Sequence, residues 1–177
     1  MNGNRLWVDS PVRQRAQELF EAPALLRLGG RVDGGRALEV GTGRRGSGLR
    51  LALTRFGAAQ ADGVELYPAS VQACRRAVAD LGDRVRVEQG DATRLAAPDA
   101  FYDAVFCYHL LHHADDWRAV VSEAARVLRP RGRLYIADMT ARFVDSRALR
   151  ASATTRATVT APPPPGSPRR RRPRACR

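Results

Sequence analysis

The chain has 177 residues, enough for one domain with a buried core, and carries a net charge of +12 at neutral pH. That charge is uneven, because residues 1–146 hold 21 arginines against all 18 acidic residues, whereas residues 147–177 hold nine arginines and no acid. A nearly balanced body argues against nucleic acid as its partner. The cysteines lack metal-ligand spacing. With no apolar leader and no run of eighteen apolar residues, the cytoplasm is the expected location.

Residues 1–35 are predicted to form an N-terminal helical arm. Ser10 and Pro11 are typical of a helix start, and apolar side chains follow them at helical spacing. Pro23 is predicted to end this helix. The arm is expected either to pack near the glycine-rich loop that follows the first strand or simply to cover an edge of the sheet.

From residue 36, apolar strands alternate with amphipathic helices five times. This alternation predicts an α/β fold with a doubly wound, mostly parallel sheet of about five strands, over residues 36–146. The segment 104–108 is almost continuously apolar, as expected for a parallel strand that is buried on both faces. The predicted strands, in chain order, are 37–40, 61–66, 84–88, 104–108 and 134–137.

A glycine-rich turn follows the first strand and precedes a helix, which is how such sheets open a nucleotide site. The spacing of Gly41, Gly43 and Gly46 fits a dinucleotide fingerprint, with Glu65 at the end of the second strand as its ribose acid. Glu39 opposes that interpretation, since a carboxylate beside the turn would repel a pyrophosphate. It suits a ligand that carries an ammonium and a sulfonium, such as S-adenosylmethionine.

Six ordered motifs over residues 10–145 resemble the class I S-adenosylmethionine-dependent methyltransferases, in particular the small-molecule type-11 group that includes quinone-biosynthesis enzymes. The resemblance implies a Rossmann-like fold, S-adenosylmethionine as cofactor, methyl transfer to a small-molecule acceptor and no metal. The motifs are Leu38–Gly43, Gly63–Leu66, Gly90–Ala92, Tyr102–Phe106, Leu110–His113 and Arg126–Pro130.

The same resemblance assigns site residues. The glycine turn and its neighbouring acid would hold the methionine end of the cofactor, the acid at 65 its ribose, and the acid at 91 the adenine amine. Arg45 departs from the pattern, because many members have glycine there and this chain has it at Gly46. The implied cofactor-binding residues are Glu39, Gly41, Thr42, Gly43, Glu65, Leu66, Asp91, Ala92 and Tyr108.

A general base would assist transfer to a hydroxyl, and His109, His112 and His113 are the candidates. The alternative is that these histidines only pack or hold structure. Trp117, at helical spacing, is predicted to lie in the core rather than to form a substrate platform.

Two other functions stay open: a non-catalytic basic protein that binds nucleic acid or anions on a remnant fold, and an NAD(P)-dependent reductase. The Arg- and Pro-rich segment 147–177 is predicted to be disordered. The resembled fold continues after its fifth strand with a helix and two more strands. Our hypothesis is that residues from about 146 onward are a frameshift scar or truncation product, which would impair catalysis.

Overall fold

The computed structural model describes residues 11–138 of the chain. The predicted disorder of 147–177 and its frameshift origin concern residues outside this range. The boundaries predicted at residues 35 and 146 stay predictions.

Five strands form one sheet, in which every neighbouring pair is parallel. The strands are β1 Arg36–Val40, β2 Gln60–Glu65, β3 Val85–Gln89, β4 Tyr102–Tyr108 and β5 Leu128–Ala137. Their spatial order is β3-β2-β1-β4-β5. The predicted α/β class with a doubly wound parallel sheet is confirmed.

The helices lie between and before these strands. They are α1 Pro11–Ala16, a π-helical turn Gln17–Glu21, α2 Ala22–Gly29, α3 Ser47–Thr54, α4 Pro68–Ala77 and α5 Trp117–Val127, with 3-10 turns at Ala79–Arg84 and Leu111–His113.

The prediction that Pro23 ends the first helix is wrong. Both Glu21 and Ala22 have right-handed helical backbone angles, and Pro23 stands in the first turn of α2. A proline is tolerated there because its missing N–H is not needed in a first turn. The wider π turn before it lets the helical path continue, and it carries Glu21 toward the sheet.

Two apolar layers cover the two faces of the sheet, as the period-two alternation of strand side chains requires. On one face, Leu38 and Val40 of β1 pack with Ala124 and Val127 of α5. The other face packs against α2, α3 and α4. Six of the seven residues of β4 are buried, the exception being Asp103, so the prediction of a strand buried on both faces is confirmed.

Two sequence-based details need correction. The last strand begins at Leu128 rather than at 134, because Leu128 already pairs with Tyr102. The next pair is Arg133 with Ala104, so the residues between Leu128 and Arg133 bulge out of the ladder. Trp117 is not in the core. It is 44% exposed, and its ring lies 4.4 Å from the Arg118 guanidinium carbon.

Strand order reverses between β1 and β4, which are neighbours although the chain visits β2 and β3 between them. The chain leaves β1 toward one side of the sheet and β4 toward the other. Ligands of open α/β sheets bind outside the carboxyl ends of the strands at such a switch point. We call this end of the sheet the carboxyl edge.

Candidate active site

The loop after β1 adopts backbone angles that favour glycine. Gly41 has φ 76°, Gly43 φ 60° and Gly46 φ 58°, all in the left-handed region. At Gly46 a Cβ would also lie 2.7 Å from Val78 Cγ1. The loop is tied to the next strand, since the Gly41 N–H donates to the Val64 carbonyl over 2.8 Å.

Glu39 lies beneath this loop and is buried, with 3% of its surface exposed. Its Oε2 accepts the Leu49 N–H of α3 over 2.8 Å, and a Cβ at Gly48 would overlap its Oε1. Burial raises the pKa of Glu39 to about 8, although the Leu49 and Gly48 N–H groups act in the opposite direction. The carboxyl group is therefore mostly protonated at neutral pH and is directed at the start of α3.

Replacing Glu39 by Gln is expected to flatten the pH dependence of folding stability between about pH 4.5 and 8, the ordinary and folded pKa values of this group. Because the folded pKa is raised, the stabilisation by the bound proton is complete below 4.5 and is lost as pH rises through 8. Relative to Glu39→Gln, the parent should lose about 1.4 kcal/mol per pH unit in that window.

Urea unfolding of both proteins at pH 5, 6.5 and 8 measures this difference. The exposed Glu88 of β3 provides a control, since Glu88→Gln should leave the slope of the parent unchanged. Parallel stability curves for the parent and Glu39→Gln would contradict the raised pKa.

Glu65 joins the end of β2 to the glycine loop. It is 7% exposed, its Oε2 accepts the Gly43 N–H over 2.9 Å and its Oε1 accepts the Tyr67 N–H over 3.1 Å. Each carboxylate oxygen can accept a second hydrogen bond. The arrangement can therefore hold the loop and still accept hydrogen bonds from a pair of neighbouring hydroxyls.

The remaining residues predicted to bind adenine follow β2 and β3 at the same edge. Leu66 is 49% exposed. Asp91 is exposed, and its Oδ1 accepts both the N–H of Thr93 over 2.8 Å and its hydroxyl over 2.7 Å, which leaves Oδ2 outside this turn. Ala92 is half-buried. The structure brings these residues to the predicted edge, and their ligand contacts stay a prediction.

The N-terminal helical segment lies over the glycine loop. Gln14 Nε2 donates to Ser47 Oγ over 3.0 Å, and Arg45 Nη1 donates to Gln14 Oε1 over 3.1 Å. Arg45, the departure from the resembled pattern, therefore contacts the helix that covers the loop. The described part of the arm meets both expectations, because its end also covers the edge strand β5, where the Tyr135 hydroxyl donates to the Gly30 carbonyl over 2.8 Å.

The end of β4 contributes two polar side chains beneath this helical segment. Tyr108 is 4% exposed, and among residues 11–138 its hydroxyl has no hydrogen-bond partner. His109 has φ 52°, and its Nε2 lies 2.8 Å from Oε1 of Glu21. The second oxygen of Glu21, Oε2, is also buried without a partner in the described part of the chain.

The histidine pair after β4 meets an acid that follows β5. His112 Nδ1 lies 2.5 Å from Asp138 Oδ1, and the Leu111 N–H donates to Asp138 Oδ2 over 2.7 Å. Because a carboxylate only accepts, Nδ1 carries the proton and Nε2 is the basic ring nitrogen. His113 is exposed, with its ring centroid 3.9 Å from that of His112. The three candidate histidines therefore have different environments.

Sequence reasoning did not single out Glu21 or Asp138. Asp138 directly follows a predicted strand, the same signal that pointed to Glu65 and Asp91. Glu21 had no such signal, because its position depends on the helix continuing through Pro23. Cys74 and Cys107 are buried, and burial raises the pKa of both thiols.

No group of three or more His, Cys, Asp or Glu side chains within residues 11–138 is arranged to hold a metal ion. In the same range, no helix has the length and apolar character needed to cross a membrane.

The fold and the site together define a class. A glycine loop anchored by an acid at the switch point of a parallel sheet is typical of nucleotide-type cofactor sites. A family model described as a methyltransferase domain matches residues 38–136, more than half of the chain. The chain belongs to this family, the class I S-adenosylmethionine-dependent methyltransferases.

Individual proteins similar to this chain are also named as methyltransferases. The chain is 37% identical over 107 residues to 27-O-demethylrifamycin SV methyltransferase of Amycolatopsis mediterranei, covering 59% of this chain and 39% of that protein. It is 30% identical over 139 residues to a ubiquinone biosynthesis O-methyltransferase of Xanthomonas axonopodis pv. citri, covering 77% and 56%. The chain thus spans about two fifths to just over half of these relatives.

Among solved structures, a geranyl diphosphate methyltransferase in complex with GPP and sinefungin superposes with a TM-score of 0.55. It is 30% identical, and the match covers 64% of this chain and 41% of that one. These comparisons give no support to the reductase or to the nucleic-acid-binding alternative.

Proposed function

We propose that this chain binds S-adenosylmethionine at the carboxyl edge and transfers its methyl group to a hydroxyl of a small molecule. The observation that carries the proposal is the clamp between Glu65 and Gly43, which fixes a glycine loop at the switch point with an acid positioned for vicinal hydroxyls. The small-molecule substrate named for the rifamycin relative supports this acceptor class.

The residues at the edge fit such a cofactor. Gly43 offers open space where a side chain would otherwise stand, so a ligand can approach the backbone. The Tyr108 hydroxyl and Glu21 Oε2 are buried polar atoms without partners in the described range, and a polar ligand would satisfy them. In this proposal Glu65 accepts from the ribose, Asp91 from the adenine amine, and Leu66 covers the adenine ring.

When bound, S-adenosylmethionine supplies a methyl group on a sulfonium, already activated for displacement by a nucleophile. The side chains of this chain then have two tasks. The carboxyl edge positions the acceptor and keeps water from the reacting atoms. His112 Nε2 accepts the proton of the acceptor hydroxyl, while Asp138 keeps the Nδ1 proton on the far side of the ring. His109, paired with Glu21, and the exposed His113 are assigned no proton transfer.

Calorimetric titration tests the cofactor. We expect S-adenosylhomocysteine to bind and NADH not to bind. Binding of NADH alone would favour a reductase. Binding of neither, together with salt-dependent binding of RNA or DNA that disappears when residues 147–177 are deleted, would favour the basic binding protein.

A further inference from the structure

Two buried polar atoms near the end of β4 lack partners within the described residues. One is the hydroxyl of Tyr108 at the end of β4, and the other is Oε2 of Glu21 in the N-terminal helical segment. His109 directly follows Tyr108, and its Nε2 lies 2.8 Å from Oε1 of Glu21, so the Glu21 carboxyl group lies beside the end of β4. Both unpartnered atoms are therefore buried where the N-terminal helical segment meets the end of β4.

The chemistry of these atoms selects a cation. A buried carboxylate oxygen can only accept hydrogen bonds, and leaving it unpaired is costly. An ammonium group has three donors and a positive charge, so it can bond the carboxylate and the phenol oxygen at once. An anion would be repelled by Glu21. His109 bonds the other oxygen, Oε1, and so holds the carboxylate in orientation while Oε2 keeps no partner in the described range.

Glu39, the acid that the sequence suggested for this role, already accepts a hydrogen bond within the protein. Its surface is 97% covered, and its carboxyl group meets the Leu49 and Gly48 N–H groups at the start of α3. A charge on it would be unfavourable in so dry a position. The counter-charge for a cationic ligand must therefore come from another acid, and Glu21 is the neighbouring carboxylate with a buried oxygen to offer.

We propose that Glu21, together with the Tyr108 hydroxyl, binds the ammonium of the amino-acid end of the cofactor. The inference rests on the proposed function and adds a binding residue from the N-terminal helical segment.

The test pairs two ligands with matched variants. S-adenosylhomocysteine carries the ammonium, and its deaminated analogue, with hydrogen in place of that group, does not. Each is titrated calorimetrically into the parent, Glu21→Gln, Tyr108→Phe and the control Glu18→Gln, which alters an exposed acid on the same helical segment.

We expect Glu21→Gln to weaken S-adenosylhomocysteine about tenfold or more, because a charge-assisted bond is replaced by a neutral one. Tyr108→Phe should weaken it about threefold to tenfold by loss of one hydrogen bond. Neither variant should change the affinity of the deaminated analogue by more than about twofold, and Glu18→Gln should match the parent for both ligands.

Three results would overturn the proposal. If both variants bind S-adenosylhomocysteine as the parent does, Glu21 and Tyr108 do not bind its ammonium. If both variants weaken the two ligands equally, the two residues are only structural. If Glu21→Gln does not fold, as judged by circular dichroism, Tyr108→Phe alone decides between these outcomes. If the parent binds neither ligand, the proposed function fails together with this inference. The first two results, in contrast, leave the proposed function standing.

Discussion

A Glu65→Ala protein is expected to bind S-adenosylhomocysteine at least 100-fold more weakly than the parent. The change removes the carboxylate that accepts the Gly43 and Tyr67 N–H groups, so the loop loses its anchor and two backbone donors lose their partner. It also removes the acceptor proposed for the ribose. Loss of the two hydrogen bonds that the ribose hydroxyls would donate to this carboxylate amounts to about 3 kcal/mol or more of binding free energy, which is a factor of roughly 100 in affinity.

Isothermal titration of the parent, Glu65→Ala and Glu65→Gln measures the effect. Glu65→Gln should lie between the other two, because its amide oxygen can accept one N–H while its NH₂ group opposes the other. Glu88→Ala, on the exposed side of the adjacent β3, is the control and should bind as the parent does. Parent-like affinity in Glu65→Ala would contradict both the proposed ribose contact and the role of the clamp.

The second large effect is expected on the transfer of the acceptor hydroxyl proton to His112. We expect His112→Ala to reduce methyl transfer to a phenolic or catecholic hydroxyl by about 10²- to 10⁴-fold, the usual contribution of a general base. The affinity for S-adenosylhomocysteine should stay within about twofold of the parent value. Asp138→Asn should cause a smaller loss, because the ring stays in place while its orientation and basicity change.

The assay follows a tritiated methyl group from the donor to a panel of phenols, catechols and long-chain carboxylic acids. His113→Ala is the matched control, since its ring is exposed. A carboxylic acid is already ionised at neutral pH, so transfer to it should not depend on His112. A hydroxyl acceptor that is methylated equally well by the parent and His112→Ala would rule out His112 as the base.

The parts of the site that lie on single elements could be predicted from the sequence. Glu65 ends an apolar strand and Gly41 follows another, and parallel strands bring such ends to one edge. The hydrogen bond from the Gly43 N–H to Glu65 could not be predicted, because it depends on the positive φ angles of the loop. Local sequence patterns identify the edge of the sheet, whereas the three-dimensional path of the loop determines which groups form hydrogen bonds there.

Contacts between distant segments were outside the reach of sequence reasoning. The contact of His112 with Asp138 requires β4 and β5 to be neighbours in register, with Tyr108 beside Ala137, and spatial strand order cannot be derived from the alternation of elements. Glu21 reaches the site because a π turn carries the helix through Pro23. Trp117 was misplaced because helical spacing alone does not show that the first residue of α5 remains exposed.

The tight fit between Glu39 and Gly48 links the evolutionary histories of these two positions. A methyl group added at Gly48 overlaps Glu39 Oε1, so alanine is not accepted at position 48 while residue 39 is glutamate. Shortening residue 39 by one methylene, as in Glu39→Asp, relieves this overlap with the alanine of Gly48→Ala, while the Tyr108 ring, whose Cδ2 lies 2.9 Å from the added methyl group, must also shift. We therefore expect covariation of the two positions among homologous chains, with the intermediate that carries only Gly48→Ala counter-selected.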